Sequence, residues 1–418
     1  LKKINNILII SESIDVNDSS GSKANVALIE NLSKVGFELK VLHYTRREIS
    51  LPGISCVSIS EKKNTVNYIL GKSLLVFQRI TKVGVVQFFE KRIGFSFLFL
   101  NDSYSITKVL QKEDPANYDW VITLSKGASF RPHHAVLNSP AWHGKWLAYI
   151  HDPFPFHRYP EPYDWFMPGY KQKEQFFHKL SQKAKCVVFP SVSLQEWMEK
   201  WYPAMIGKGV VIPHQIPTTV TEKQTAPSYF LKNGFTLLHA GNLMKQRSPE
   251  ALIQGFSLFL EGHPEAKPHV QLLLTGPAGY HKDYLATVKS KNSQVYISDG
   301  YVPFDEVQAL QENASVNIIM ESDADSSPFL PGKFPHCIKA NKPILLLSPQ
   351  NSESCRLLGK NYPYHTENKN PEDIAFIIAK LYKIWQTHPS EFKLNRTDLE
   401  YYFSTSYLES QFKKLSSI

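Results

Sequence analysis

Cysteine is scarce in this sequence. There are four in 418 residues, Cys56, Cys186, Cys337 and Cys355, and none forms a C-x-x-C pair. That spacing argues against a disulfide framework and against a cysteine zinc site, and it fits a reducing compartment. Cys186 and Cys337 sit in apolar patterns and read as core thiols. Long hydrophobic runs are missing as well. The longest, IGFSFLFL at 93–100, is half of the ~20 apolar residues a membrane span needs. The early run ILII is far shorter than the apolar stretch of a secretory leader. No G-x-x-x-x-G-K-[ST] phosphate loop and no G-x-S-x-G elbow occur. Ser19-Ser20-Gly21-Ser22 falls short of a G-x-G-x-x-G fingerprint. Nucleic-acid motifs are absent, and the basic residues are not gathered in one run. The adjacent pair His133-His134 lacks the further ligands that a metal would need, so no metal is expected.

What is present is a core-forming composition: 42% hydrophobic, 20% charged and 12% aromatic. A chain of this length reads as two domains, at roughly 100–200 residues each. The net charge of +9 and pI near 9.1 fit attraction to phosphorylated substrates, acidic headgroups or nucleic acid, or a plain surface excess. Charge alone does not choose among them.

The apolar pattern is a βα alternation. NILIIS (6–11) reads as a buried parallel strand, a Ser/Gly loop follows, and Ala24, Leu28, Leu32 and Val35 recur at helical spacing. Gly36 is a natural helix stop, and FELKVLHY (37–44) is the next strand. WVITLS (120–125), WLAYIHD (146–152), CVVFPS (186–191) and GVVIPHQIP (209–217) continue the array. Ser193 and Glu196 match a capping box. Between 67 and 100, basic and aromatic residues mix. This segment reads either as a core helix with solvated lysines or as a surface that meets a membrane or lipid-linked acceptor.

The polar stretch 218–229 reads as a linker, after which the alternation restarts. FTLLHAGN (235–242), VQLLLTG (270–276), VYISDG (295–300), VNIIM (316–320) and PILLLS (343–348) are strands. Ser248-Pro249, Asp305 and Asn370-Pro371 are candidate helix starts. Two successive arrays predict an α/β chain of two Rossmann-like, doubly wound domains facing across a cleft, with ligands beyond the C-terminal strand ends. The expected boundaries are 1–217, 218–400 and a terminal helix at 401–418.

Three segments in order, HAGNLMKQRSPEALIQGF (239–256), GYVPFDEVQALQENASVNIIM (300–320) and PGKFPHCIKANKPILLL (331–347), resemble the donor-binding domain of GT-B glycosyltransferases, in particular the retaining family-four branch. The likeness extends to the first βαβ unit and to YIHDPFP. It implies a GT-B fold and transfer of a hexosyl-type sugar from a nucleotide-diphosphate sugar to an acceptor hydroxyl, with retention and without a metal or other cofactor. Under it, Gly241 and Asn242 turn the strand end toward the diphosphate, with Arg247 and Lys245 as its cations. Tyr301 and Val302 lie at the base, and Lys333 and His336 in the sugar and ribose helix. Gly21 and Ser22 present backbone N–H groups from the first domain. His151 is the candidate at the reacting centre with Asp152 beside it, and Lys126, Gly127 and Arg131 guide an acceptor. For Tyr301, core packing is the competing reading; for Lys245 and Arg247 it is a solvated loop.

The sequence departs from that family in one respect. Two glutamates eight positions apart are usual, and this chain has Pro328 and His336 there. Glu321, Asp323 and Asp325 could substitute only if their loop folds back. The implied setting is surface-glycan synthesis in the cytoplasm, peripherally at the inner membrane face, with a glycan or lipid-linked acceptor and no nucleic acid. Rival readings are a catalytically silent module of the same fold and a nucleotide-sugar epimerase.

Overall fold

Runs of apolar residues become the central strands. The computed structural model describes residues 5–159, 161, 165–216 and 225–415, so most of the expected linker lies outside the described residues. The chain separates into two compact units. One comprises Leu1–Tyr159, Tyr163–Thr218 and Phe403–Ile418, and the other Pro160–Pro162 and Thr219–Tyr402.

The first unit holds β1 (Asn6–Ser11), β2 (Glu38–His43), β3 (Ser55–Ser58), β4 (Trp120–Leu124), β5 (Trp146–Tyr149), β6 (Cys186–Phe189) and β7 (Gly209–Val211). They form one parallel sheet in the order β3-β2-β1-β4-β5-β6-β7. Ile9 stands between Val41 and Ile122 in this register. Successive side chains of a strand point to opposite faces. Accordingly Leu8 and Ile10 join one core cluster and Ile7 and Ile9 another, so helices cover both faces. Full burial of each such side chain contributes roughly 1.5–3 kcal/mol.

The second unit repeats the plan with β8 (Phe235–Ala240), β9 (Val270–Thr275), β10 (Val295–Ile297), β11 (Val316–Met320), β12 (Ser326–Ser327), β13 (Ile344–Leu347), β14 (Asn351–Ser352) and β15 (His365–Thr366). The main sheet runs β10-β9-β8-β11-β13-β15, with β12 and β14 paired apart from it. Both sheets therefore have one switch point where chain order reverses: β1/β4 in the first unit and β8/β11 in the second. Crevices at such points are where ligands of open α/β sheets bind.

The helix Ser20–Val35 stops at Gly36, which takes φ +99, a left-handed conformation that costs glycine no Cβ clash. Several expected helix starts shift. Ser191, not Ser193, caps the helix Val192–Trp201, because its hydroxyl accepts from Leu194 N–H. Asp305 lies inside the first turn of Phe304–Asn313, favourable to the helix dipole but not a cap. Pro249 already has helical angles, and the Ser248 hydroxyl accepts from Glu250 N–H. Asn370 occupies the cap position of Pro371–Thr387 but spends its amide on Asp373. The last helix, Thr405–Leu415, buries Leu408, Phe412 and Leu415 in the first unit's core, with Phe412 packed on Phe37 at 5.1 Å.

Candidate functional site

In the second unit the strand ends around the switch point are stitched together by backbone. Gly241 N–H donates to Thr275 C=O at 2.8 Å, and Leu243 N–H to Pro277 C=O at 2.9 Å. The Ser298 hydroxyl accepts from Gly276 N–H and donates to Gly300 C=O. These bonds fix the loops that carry Gly241, Asn242, Tyr301 and Val302.

Gly241 leaves little room for a side chain. A Cβ there would lie 3.2 Å from Lys333 Nζ. Lys333 stands at the start of the helix Phe334–Ala340, whose Phe334, Cys337 and Ile338 are buried as expected. The residue is half-buried along its length, and its Nζ sits 3.1 Å from His239 Nδ1. Burial, then the nearby charge of Arg247, lowers the Lys333 pKa to about 7. Burial followed by the fields of Lys333 and Arg247 also holds His239 well below the ordinary histidine range, so it is neutral.

Arg247 belongs to this cluster. It makes no ion pair among the described residues, and its Nε is buried without a partner. Among the described residues its guanidinium donates only to the Asn242 carbonyl, at 3.5 Å. Two cations gathered at strand ends, with no carboxylate bonded to either among the described residues, form an anion site in chemical terms. Lys245 is exposed two residues away.

A buried acid also reaches the cluster. Glu321 directly follows β11, the strand next to β8, and is 2% exposed. The loop after it does fold back: Ser327 donates to the Glu321 carboxylate, and β12 pairs with β14. Burial raises the Glu321 pKa, and Arg247 opposes that shift. Its Oε1 has no partner among the described residues. Asp323 instead faces Lys369 at 3.5 Å. His336 packs edge-on against Phe304 at 5.4 Å, at the start of the helix after Tyr301 and Val302. Tyr301 is 56% exposed, which removes core packing as its role; Val302 is buried.

In the first unit the expected residues also converge at the switch point. A Cβ on Gly21 would lie 3.1 Å from Gly127 N, and one on Gly127 would lie 3.3 Å from Asp152 Oδ2. The start of the helix, the loop after β4 and the loop after β5 therefore meet. Ser22 is less available than its position suggested. Ser19 caps the helix by accepting from Ser22 N–H, so Ser22 offers that group to a phosphate only by losing the cap. Lys126 pairs with Asp18 at 2.9 Å. Arg131 is held between Glu12 and Asp102, both at 2.7 Å. This triad ties β1 to two helical segments and leaves Arg131 little charge for an acceptor.

His151 is 7% exposed, stacked 5.6 Å from His214, and neither ring nitrogen has a partner among the described residues. Burial and then the field of His214 push its pKa well down. Burial raises Asp152 to about 6. By contrast His133 bonds the Tyr149 carbonyl and His134 the Ser103 hydroxyl, both structural uses. Among the described residues no group of three His, Cys, Asp or Glu side chains could hold a metal ion.

Sequence reasoning missed His239, Glu12 and His214, and weighed Glu321 only conditionally. His239 and Glu12 flank strand ends at the two switch points, which was the signal available.

No protein-family profile and no curated protein sequence matches this chain. Solved structures do. A glycosyltransferase from Rickettsia africae is 14% identical, with a TM-score of 0.61 over 99% of this chain and 97% of that one. Anabaena HepE, solved in complex with UDP and glucose, is 13% identical, with a TM-score of 0.64 over 99% of this chain and 100% of that one. A UDP-forming α,α-trehalose-phosphate synthase from Burkholderia xenovorans, in complex with glucose-6-phosphate, is 9% identical, with a TM-score of 0.61 over 98% and 99%. At these identities the likeness is one of fold, and the two Rossmann-like units are those of the GT-B glycosyltransferase fold.

Proposed function

We propose that this chain is a glycosyltransferase that uses a nucleotide-diphosphate sugar, transferring the sugar to an acceptor hydroxyl with retention and without a metal. The observation that carries this reading is the pair of cations at the β8/β11 switch point. Among the described residues neither Lys333 nor Arg247 bonds a carboxylate, and a diphosphate would supply negative charge there. A fold neighbour solved with UDP and glucose supports that choice of ligand.

In the reaction, the bond from the anomeric carbon to the diphosphate oxygen breaks and a bond to the acceptor oxygen forms. Negative charge grows on the leaving diphosphate, where Arg247 and Lys333 would stabilise it. The acceptor proton passes to that leaving oxygen. Tyr301 and Val302 would meet the base, with His336 and the buried Glu321 as the candidates for sugar or ribose hydroxyls. A neutral histidine can accept or donate one such bond. His151 and Asp152 are the first unit's candidates for the reacting groups, and Lys126 and Gly127 for the acceptor. Surface-glycan synthesis, with a glycan or lipid-linked acceptor, is the setting proposed for it.

The test is a thermal-shift screen of nucleotide-diphosphate sugars, starting with UDP-glucose, followed by assay of the hits for donor consumption and product stereochemistry. A ligand at 100 times its Kd stabilises by about 2.7 kcal/mol. If no nucleotide-diphosphate sugar raises the melting temperature, the reading fails. A hit without turnover on any acceptor favours the silent-module alternative, which His336 in place of a glutamate motivates.

A further inference from the structure

The helix Val66–Thr81 is amphipathic in the wrong sense for a globular core. Its one buried residue is Gly71. A Cβ there would lie 2.7 Å from Leu98 Cδ2, so the helix rests on Phe97–Leu110 through its smallest residue. The apolar stripe faces solvent. Val66, Ile69, Leu70, Val76, Phe77 and Ile80 follow one another at helical spacing and are 72, 58, 42, 55, 50 and 75% exposed. The next helix, Val85–Ile93, extends the patch with exposed Phe88, Phe89 and Ile93. Scattered apolar residues are ordinary on a surface, but a contiguous stripe of this kind marks an interaction site.

Charge decides the partner. Between 66 and 93 there are five cations, Lys72, Arg79, Lys82, Lys91 and Arg92, and one acid, Glu90. Glu90 is already paired with Lys173 at 2.7 Å. On the wheel of the first helix, Lys72 and Arg79 border the stripe, and Arg92 lies over the Phe88 ring at 4.8 Å. A second copy seated on this face would set cations against cations. A phospholipid surface carrying negative headgroups matches both halves of the pattern: apolar side chains enter the acyl boundary and the cations meet the phosphates. Spanning is excluded for these helices. The first has 16 residues, and no described helix is long and apolar enough to cross a bilayer.

We infer that the helices Val66–Thr81 and Val85–Ile93 form a monotopic docking face for an anionic lipid bilayer. This rests on the exposed stripe and its charge, and stands whether or not the sugar-transfer reading holds.

The test is co-sedimentation of the full chain with vesicles of phosphatidylcholine alone and of phosphatidylcholine mixed with phosphatidylglycerol. Binding is expected to the anionic vesicles and to weaken as salt rises. The triple variant Ile69→Ser, Phe77→Ser, Ile80→Ser removes the stripe at exposed positions. The double variant Lys72→Glu, Arg79→Glu reverses two cations. Each is expected to lose about tenfold or more in partitioning, with an unchanged melting temperature as evidence of folding. Equal partitioning of wild type and both variants would overturn the inference, as would no preference for the anionic vesicles. So would wild-type self-association that the triple variant abolishes without any lipid binding, because the occupant would then be a second copy.

Discussion

The ammonium nitrogen of Lys333 lies 3.1 Å from Nδ1 of His239, beside Gly241. One cation is thus held against a neutral ring, with a second cation, Arg247, in its field and, among the described residues, no carboxylate bonded to either. Without an anion this arrangement costs stability, and with one it binds. Two opposite effects of one substitution follow.

Folding lowers the Lys333 pKa from 10.5 to about 7. Between those values the unfolded chain holds a proton that the folded chain lacks, so stability rises with pH through that window and the penalty is complete below it. Lys333→Met is expected to raise ligand-free stability at pH 6–7 by roughly 2–5 kcal/mol. It is also expected to abolish stabilisation by nucleotide diphosphates. Melting curves against pH, with and without UDP, check both.

Arg247→Ala is expected to weaken nucleotide-diphosphate affinity by about ten- to a hundredfold, the worth of a charge-assisted bond. Arg247→Lys should recover only part of this, because a single ammonium cannot bond two phosphate oxygens as a fork does. Calorimetric titration with UDP reads the difference. Undiminished affinity in the alanine variant would place the diphosphate elsewhere.

Glu321 titrates in the other direction. Its pKa is raised by burial, so the folded state holds a proton that the unfolded state releases, and stability falls as pH rises above the ordinary carboxylate range. Glu321→Gln is expected to flatten that fall and to leave the fold at least as stable at neutral pH. If the carboxylate grips a donor hydroxyl, kcat/KM drops by about tenfold or more, the worth of a hydrogen bond to a charged group. Melting temperature against pH and steady-state kinetics separate the two effects.

Gly276 and Gly241 test backbone closeness. A Cβ at Gly276 would lie 2.6 Å from the Gly241 carbonyl, a contact no rotamer relieves, whereas one at Gly241 meets the flexible end of Lys333. Gly276→Ala is expected to cost about 2 kcal/mol or more in stability. Gly241→Ala, at φ +155, is also strained but without a backbone clash, so it should cost less stability than Gly276→Ala and weaken ligand affinity as well. Denaturant unfolding and nucleotide titration of the two variants make the comparison.

His151 leaves two ring nitrogens buried without partners among the described residues. Replacing such a group with an apolar one of similar size is close to neutral or stabilising. His151→Leu is therefore expected to fold as well as wild type. Its turnover is expected to fall by about a hundredfold or more, as when a catalytic donor is removed. Chemical denaturation alongside a product assay tests it, and full activity would remove His151 from the reacting centre.

Much of this was legible in the apolar runs. NILIIS, WVITL, FTLLHA and VNIIM are strands because buried parallel strands must be apolar on both faces. Cap assignments slipped by one or two residues, as at Ser191, because several Ser and Asp residues compete for the same N–H groups and only the backbone path selects among them. Arg131 looked available in the sequence, yet Glu12 and Asp102 come to it from 119 and 29 residues away. The segment 67–100 left two readings open, since periodicity reveals an apolar stripe but not which way it faces.

The sequence by itself determined that there are two βα arrays, where their strand ends fall, and that basic residues follow the strand ending at Ala240. Those features are local, set by apolar periodicity and by glycine. Tertiary structure alone decided which charges survive. It brought Glu12 and Asp102 to Arg131, left Lys333 and Arg247 without a bonded carboxylate among the described residues, and folded Ser327 back onto Glu321. Pairing of charges depends on residues far apart in the chain, and no local pattern records it.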